Sequence, residues 1–462
     1  MQTHVLGFPR IGVQRELKKA LESYWNGATS PQDLDAVCDQ LKRRHWQIQK
    51  DAGLSFVATG DFSLYDQMLD VSFLLGAVPD RFRENAPECA RTLYFQMARG
   101  DVERNRAAMA MTKWFNTNYH YLVPEFSPSL KLSLFSKTIV EDTRLAAALG
   151  FSPKPTLVGP ITYLSLARDL DGANRWDRLD EITALYAEVL AELAPLCEWI
   201  QLEEPILCAD LSAEARRGFP TAYETLNRAA GPARLLLATY FERLDENLDL
   251  AIDSGCAGLH LDLFRGRASL ESVPERLPDD MTLSAGLVDG RNIWKTDLNR
   301  ALDTLRPLAE RLGPDRLMVG SSCSLLHSPV DLECEPRLDP EVKQWMAFAT
   351  QKCREVALLG ETLEGQDRHA ELQANAEAME SRRRCARTDC AEVRNRCAAV
   401  TEDQLKRRHP YALRKTAQAW LNLPPLPTTT IGSFPQTPEI RKARLQFRKG
   451  EITPTEYQNF LK

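Results

Sequence analysis

The chain has 462 residues, 44% hydrophobic and 26% charged, with a formal net charge of −6. That balance suits a globular chain with one large core plus appendages, and the negative charge argues against bulk electrostatic binding to nucleic acid or anionic membrane. No apolar run reaches the roughly 18 to 20 residues that span a bilayer, and Met1-Gln2-Thr3-His4 lacks the basic and apolar regions of a signal peptide. Eleven cysteines without regular spacing read as reduced thiols, so the cytoplasm is the expected compartment.

In chain order, short apolar or β-branched runs alternate with helical patterns as far as residue 360. The runs predict strands at 5–8, 54–59, 156–158, 199–203, 234–240, 258–262, 282–287 and 316–320. Helices are expected at 15–25, 179–196, 244–253, 295–312 and 340–359, the last capped by Asp339. Basic runs such as Lys42-Arg43-Arg44 read as solvated helix faces. Eight parallel strands favour a closed (β/α)8, TIM-type barrel over an open sheet, and no G-x-G-x-x-G follows any of them. One connection is unusually long, that between the second and third strands, and it carries the aromatic phrase Met111-Thr-Lys113-Trp114-Phe-Asn116-Thr-Asn118-Tyr119-His120-Tyr121. Insertions of that length are functional or independently folded. Beyond the barrel, 361–426 is a polar, Arg-rich helical connector ending in the hinge Leu423-Pro-Pro-Leu-Pro427. Residues 427–462 read as the first strand and helix of a second barrel that the chain does not complete.

Barrel chemistry collects where strands end, and several polar phrases fall there. They are Gly60-Asp61, Glu203-Glu204-Pro205, Thr239-Tyr240-Phe241-Glu242, His260-Leu261-Asp262, Asp289-Gly290-Arg291-Asn292 and Ser321-Ser322-Cys323-Ser324. Glu203 and Glu204 could share a proton, hold an amine or bind a cation, but strand alternation points only one of them inward, and ion pairs with arginine are the plainer alternative. His260, Asp262 and Cys323 would meet at one barrel end. As a metal site they lack the soft ligands of a thiol-activating zinc, and an inward His beside an acid also reads as a satisfied core pair. Cys385, Cys390 and Cys397 are spaced so that they do not share one helical face.

Two stretches carry one strand-turn signature, Leu6-Gly-Phe-Pro-Arg-Ile-Gly12 and Thr428-Thr-Thr-Ile-Gly-Ser-Phe-Pro-Gln-Thr437, which suggests internal duplication. Together with Arg15-Glu-Leu-Lys-Lys19, Thr112-Lys-Trp-Phe-Asn-Thr-Asn-Tyr-His-Tyr121 and Ser321-Ser-Cys-Ser-Leu-Leu-His-Ser-Pro329, they resemble cobalamin-independent methionine synthase. The resemblance implies two (β/α)8 barrels and transfer of a methyl group from 5-methyltetrahydropteroyltri-L-glutamate to homocysteine, with this chain supplying the amino-terminal barrel. It implies folate contacts at Arg15, Glu16, Leu17, Lys18 and Lys113, and homocysteine contacts at Ile431, Gly432 and Ser433. Cationic side chains would suit the carboxylates of a glutamate tail. Trp114 and Tyr119 could stack on a flat ring, or simply pack the loop onto the barrel. The resemblance also implies a catalytic zinc, held in the carboxyl-terminal barrel by residues beyond Lys462. The corresponding positions here are Leu237, Thr239, Asp262 and Cys323, so no metal and no catalytic residue is expected in this chain. It should be inactive alone, its own carboxyl-terminal barrel being the partner. A non-catalytic scaffold and an independent barrel enzyme using Glu203, Asp262 or Lys113 are the alternatives.

Overall fold

Twelve strands occur among the described residues of the computed structural model, which are 1–462 apart from 85–88, 268, 269, 271, 272, 431 and 433–435. They are β1 (Gln2–His4), β2 (Val57–Thr59), β3 (Met111–Lys113), β4 (His120–Leu122), β5 (Glu125–Phe126), β6 (Pro153–Val158), β7 (Arg168–Asp169), β8 (Trp199–Glu203), β9 (Arg234–Ala238), β10 (Gly258–Asp262), β11 (Thr282–Val288) and β12 (Leu317–Ser321). Eight form one sheet in the order β1-β12-β11-β10-β9-β8-β6-β2, parallel throughout. Its outer strands meet where the Ser55 N–H donates to the Thr3 carbonyl (3.0 Å), so the sheet curls into a nearly closed barrel. The (β/α)8 expectation holds. The first strand lies at 2–4 instead of 5–8, because the Leu6 and Phe8 N–H groups donate to the Ser321 hydroxyl (3.2 Å) and the Asp61 carboxylate (2.7 Å) instead of to a neighbouring strand.

Directly paired residues share a face, so the register fixes what enters the lumen. Gln201 pairs with Leu236, Glu203 and His260 each pair with Ala238, and His4 pairs with Gly320. Small residues, Ala58, Ala238, Gly258, Gly286 and Gly320, thus leave room for His4, Lys154, Trp199, Gln201 and His260. Trp199 packs with Phe56, Leu236 and Met318 as an apolar plug near the amino ends of the strands. A polar layer lies above it.

The predicted helix at 340–359 is two helices, Pro340–Lys343 and Ala349–Leu363, with Asp339 capping the first through the Glu341 N–H (2.9 Å). Between them the backbone pairs with the loop after β11, Lys295 N–H donating to the Trp345 carbonyl and Ala347 N–H to the Ile293 carbonyl (2.9 Å each), which interrupts the helix. The helix face read at Lys42-Arg43-Arg44 belongs to Pro31–Asp51, whose extent was not predicted and which starts with a capping box between Ser30 and Asp33. On it Lys42 is not a solvated charge, since its ammonium donates to Asp142 (2.7 Å). This helix, Glu16–Trp25 and the long insertion bury a second core that includes Leu17, Leu21, Leu41, Phe82, Leu93 and Leu122. The insertion therefore has its own hydrophobic support.

Contacts divide the chain into Met1–Thr388 and Asp389–Lys462. The second unit has helices Ala391–Ala398, Tyr411–Ala417, Pro438–Arg448 and Pro454–Leu461, the last two joined by stacked Phe447 and Tyr457 (4.7 Å). Among the described residues no helix is long and apolar enough to cross a membrane.

Candidate functional site

Glu203 and Glu204 sit side by side at the end of β8 and face opposite ways. Inside the lumen, Glu203 accepts from the Tyr240 hydroxyl (2.8 Å), Gln201 Nε2 (2.8 Å) and the Thr156 hydroxyl (3.0 Å). Gln201 Oε1 in turn accepts from the fully buried Lys154 ammonium. Burial pushes the Glu203 carboxyl up, against those hydrogen bonds and Lys154, and lowers Lys154 to about 7 despite Glu203 and Asp61. Behind the sheet, Glu204 accepts from the N–H groups of Ile161 (3.1 Å) and Thr162 (2.6 Å) at the start of the helix Pro160–Ser165, and from the Tyr223 hydroxyl (3.1 Å). Glycine is required at 159, where a Cβ would lie 2.1 Å from Glu204 Oε1. Among the described residues neither carboxylate pairs with arginine, which corrects the plainer expectation, and each has its own separate set of donors.

His260 and Asp262 both face inward but do not pair. The Ser284 hydroxyl lies 2.8 Å from His260 Nδ1 and 2.7 Å from His4 Nε2, and burial lowers His260 to about 3, so the ring is neutral. Asp262 accepts from the N–H groups of Phe241 (3.2 Å), Phe264 (3.0 Å) and Arg265 (2.9 Å), tying down two strand-end loops. The barrel's polar interior is largely satisfied internally, His4 Nδ1 being left without a partner among the described residues.

At the mouth a cavity of about 60 Å³ is bordered by Arg10, Asp61, Asp66, Asp70, Tyr119 and Glu203, among others. Asp66 caps the helix Gln67–Leu74 through Met68 and Leu69 N–H (2.9 Å each) and also receives Leu122 N–H (3.1 Å), joining helix start to hairpin. Burial raises Asp61 and Asp66 to about 7 and Asp70 to about 6. Ligand pockets commonly offer about 300 Å³ or more. A pterin does not fit in this cavity.

The antiparallel hairpin β3–β4 arches over the mouth. Trp114 is buried, and Tyr119 donates to the Leu326 carbonyl (3.1 Å) while its ring meets His327 edge-on (5.1 Å). Phe115 lies 5.8 Å from Phe241. These aromatics pack the hairpin onto the barrel, the plainer of the two roles set out for them. Met111, Thr112 and Lys113 stay exposed along β3.

With this geometry in place, residues 2–313 match the family model described as Cobalamin-independent synthase, N-terminal domain, and 426–462 match its Catalytic domain. The chain belongs to the cobalamin-independent synthase family. It is 47% identical over 460 residues to a 5-methyltetrahydropteroyltriglutamate–homocysteine methyltransferase of Syntrophotalea carbinolica, covering 99% of this chain and 61% of that protein. A relative of the same name from Nitrosomonas europaea is 46% identical over 460 residues, covering 98% and 60%. The chain thus spans about three fifths of the length of these relatives. Among solved structures, a B12-independent methionine synthase from a Shewanella species matches with a TM-score of 0.53 at 16% identity, over 73% of this chain and 91% of that one. A putative one from Listeria monocytogenes gives 0.51 at 14%, over 78% and 96%. Both support the barrel fold.

The four positions that the resemblance sets against zinc ligands are otherwise engaged here. Leu236 faces the lumen, so Leu237 and Thr239 face outward, and the Thr239 hydroxyl donates to the His260 carbonyl (2.8 Å). Asp262 is occupied by backbone N–H groups, and burial pushes the Cys323 thiol far up. No group of three or more His, Cys, Asp or Glu side chains with metal-site geometry occurs among the described residues.

The residues implied as folate contacts in cobalamin-independent synthases fare unequally. Arg15 is exposed in a left-handed conformation (φ 58°) just before the helix Glu16–Trp25. Lys18 is exposed beside Glu22 (3.7 Å), and Lys113 is exposed on β3. Glu16 instead pairs with Arg44 (2.7 Å), and the Leu17 side chain is buried in the second core, so neither presents a free side chain. Of the homocysteine set, Ile431 and Ser433 lie outside the described residues. Gly432 is exposed, with open space around it. Sequence reasoning missed Asp66 and Asp70 at the mouth. Their signal was Asp66 as a cap ahead of the apolar run Met68–Leu75.

Proposed function

We propose that this chain is the folate-tail-binding, amino-terminal part of a zinc-dependent methyltransferase that moves a methyl group from 5-methyltetrahydropteroyl-polyglutamate to homocysteine, making methionine. Family membership and the activity in the relatives' names support this reading. The observation that carries it is that the lumen is filled by buried side chains while Arg15 and Lys18, at the start of the helix after β1, and Lys113, on the hairpin strand β3, stand exposed. A glutamate tail is a string of carboxylates, and such cations neutralise it without entering the barrel. The pterin then lies outside the small cavity. Ile431, Gly432 and Ser433 take the homocysteine carboxylate through backbone N–H groups, Gly432 permitting close approach. The division into a barrel (1–360), a connector (361–426) and the start of a second barrel (427–462) belongs to the same reading, with a carboxyl-terminal barrel as partner.

Zinc, when bound in the family enzyme, would hold the homocysteine thiol as a thiolate. The residues here do not supply that site. The purified chain is therefore expected to bind folate polyglutamate without methylating homocysteine. Calorimetry with tri- and monoglutamate forms of 5-methyltetrahydrofolate tests the proposal, which requires tighter binding of the longer tail. The filled lumen favours a second reading, a scaffold with no ligand, and heat independent of tail length would select it. An independent barrel enzyme is disfavoured, since Glu203 and Asp262 are committed to internal hydrogen bonds and Lys113 is on the surface.

A further inference from the structure

The phrase Asp289-Gly290-Arg291-Asn292 follows β11 and has no part in the reading above. Its Arg291 guanidinium reaches across the mouth to the hairpin tip, where Nη1 donates to Asn116 Oδ1 (2.8 Å) and Nη2 to the Asn116 carbonyl (3.0 Å). The same guanidinium covers the Phe241 ring at 4.8 Å. Beneath it the loop is firmly held. Asp289 accepts from the Arg291 N–H (2.9 Å), Arg265 Nη1 (3.0 Å) and Asn292 Nδ2 (2.6 Å). The buried Lys352 ammonium donates to Asn292 Oδ1 (3.2 Å) and the Trp294 carbonyl (3.0 Å). At the tip, Phe115 has φ 48°, a conformation that non-glycine residues keep only when their surroundings hold them there. Lys113 is three residues from Asn116, at the end of β3, paired with His120.

A planar fork that places two donors on the side chain and main chain of one residue fixes direction as well as distance. We infer that Arg291 and Asn116 form a clasp that sets where Lys113 is presented at the rim. Arg291 is then a positioning residue for the glutamate tail and not a contact to it. The inference rests on the tail-binding reading.

Two measurements on the full 462-residue chain separate the inference from that reading. Limited trypsin digestion, followed by mass spectrometry at the bond after Lys113, reports the clasp without ligand. Arg291→Ala is expected to speed that cleavage about tenfold, and Asn116→Ala, which removes one of the two bonds, about threefold. The double variant should be no faster than Arg291→Ala, and Arg291→Lys, which keeps charge but loses the fork, should fall between wild type and Arg291→Ala. Calorimetry with tri- and monoglutamate 5-methyltetrahydrofolate then reports positioning. Arg291→Ala should reduce the preference for the longer tail severalfold, whereas general loosening would weaken both ligands equally. If Arg291→Ala does not fold, the exposed Asn116 carries both measurements. Unchanged cleavage in the single variants overturns the clasp, and faster cleavage with intact tail preference overturns the positioning role. Absence of any tail preference in the wild type refutes the tail-binding reading and the positioning role with it, while the cleavage rates still decide the clasp.

Discussion

The lumen of the barrel and its rim are built on opposite rules. Within the lumen Lys154, Gln201, Glu203, Tyr240, His4, Ser284 and His260 are buried and joined by hydrogen bonds, so ionisable groups serve one another. On the rim Arg15, Lys18 and Lys113 are exposed on a helix start and a hairpin strand. A buried polar network specifies a unique core but is intolerant of partial loss. An exposed cation contributes little to stability and remains available to a ligand. Stability and recognition are thereby assigned to different layers, and substitutions should separate them.

The largest effect is expected just behind the lumen. Gly159→Ala places a methyl group 2.1 Å from Glu204 Oε1, so Glu204 must leave the N–H groups of Ile161 and Thr162. Overpacking combined with lost charge-assisted hydrogen bonds should destabilise the fold by about 3 kcal/mol or more in urea denaturation. A change below about 1 kcal/mol would mean that Glu204 has another place to go. Next is Glu203→Leu, which leaves the Tyr240 hydroxyl without its acceptor and the buried Lys154 ammonium, itself bonded to Gln201, without a nearby counter-charge, and should cost about 2–4 kcal/mol. Adding Lys154→Met should recover part of that loss, because a buried cation without a counter-charge is then removed.

Asp61 lies on the boundary between the two regions, and its expected effect is smaller and depends on pH. Burial, opposed mainly by the Phe8 N–H, raises its carboxyl from 3.8 to about 7. With the folded value above the unfolded one, the folded state holds the proton more tightly between those limits. Its contribution is fully present below about pH 4 and is lost as pH rises through about 7. Asp61→Asn removes this titration but keeps an acceptor for Phe8. The variant should therefore gain on the wild type as pH goes from 4 to 8. Asp61 borders the cavity and keeps part of its surface open, so about 1 kcal/mol is expected, well short of the full shift. Denaturation midpoints with the same pH slope in both proteins would place the raised carboxyl elsewhere.

Legibility from sequence follows the same division. Barrel strands buried on both faces announce themselves as apolar runs, so seven of the eight overlap their predicted positions, and only β1 shifted, because side chains took the N–H groups of Leu6 and Phe8. The opposite facing of Glu203 and Glu204 followed from strand alternation. What they bond to did not, since Lys154, Tyr240, Tyr223 and the Ile161 and Thr162 N–H groups come from other elements. Leu17 shows the limit of carrying a motif over whole, because helical periodicity points one residue of Arg15-Glu-Leu-Lys18 into the second core. The Arg291–Asn116 contact joins positions 175 apart, and no local pattern encodes it.

The smallest stability effects belong to the rim, and they test the comparison from its other side. Lys18 lies 3.7 Å from Glu22 with both side chains more than half exposed, an arrangement whose median contribution is near zero. Arg15→Ala, Lys18→Ala and Lys113→Ala should each leave stability within about 0.5 kcal/mol of the wild type. Their effect belongs in binding. Each should weaken the triglutamate more than the monoglutamate, and the difference should shrink as salt is raised, because exposed charges at the rim are screened over about 8–10 Å at physiological ionic strength. Lys113→Glu should reverse the preference for the longer tail by placing a like charge in its path. If instead these variants lowered stability by 2 kcal/mol while tail preference and its salt dependence stayed fixed, the rim cations would be structural, and the separation of layers would fail at the point where it is easiest to measure.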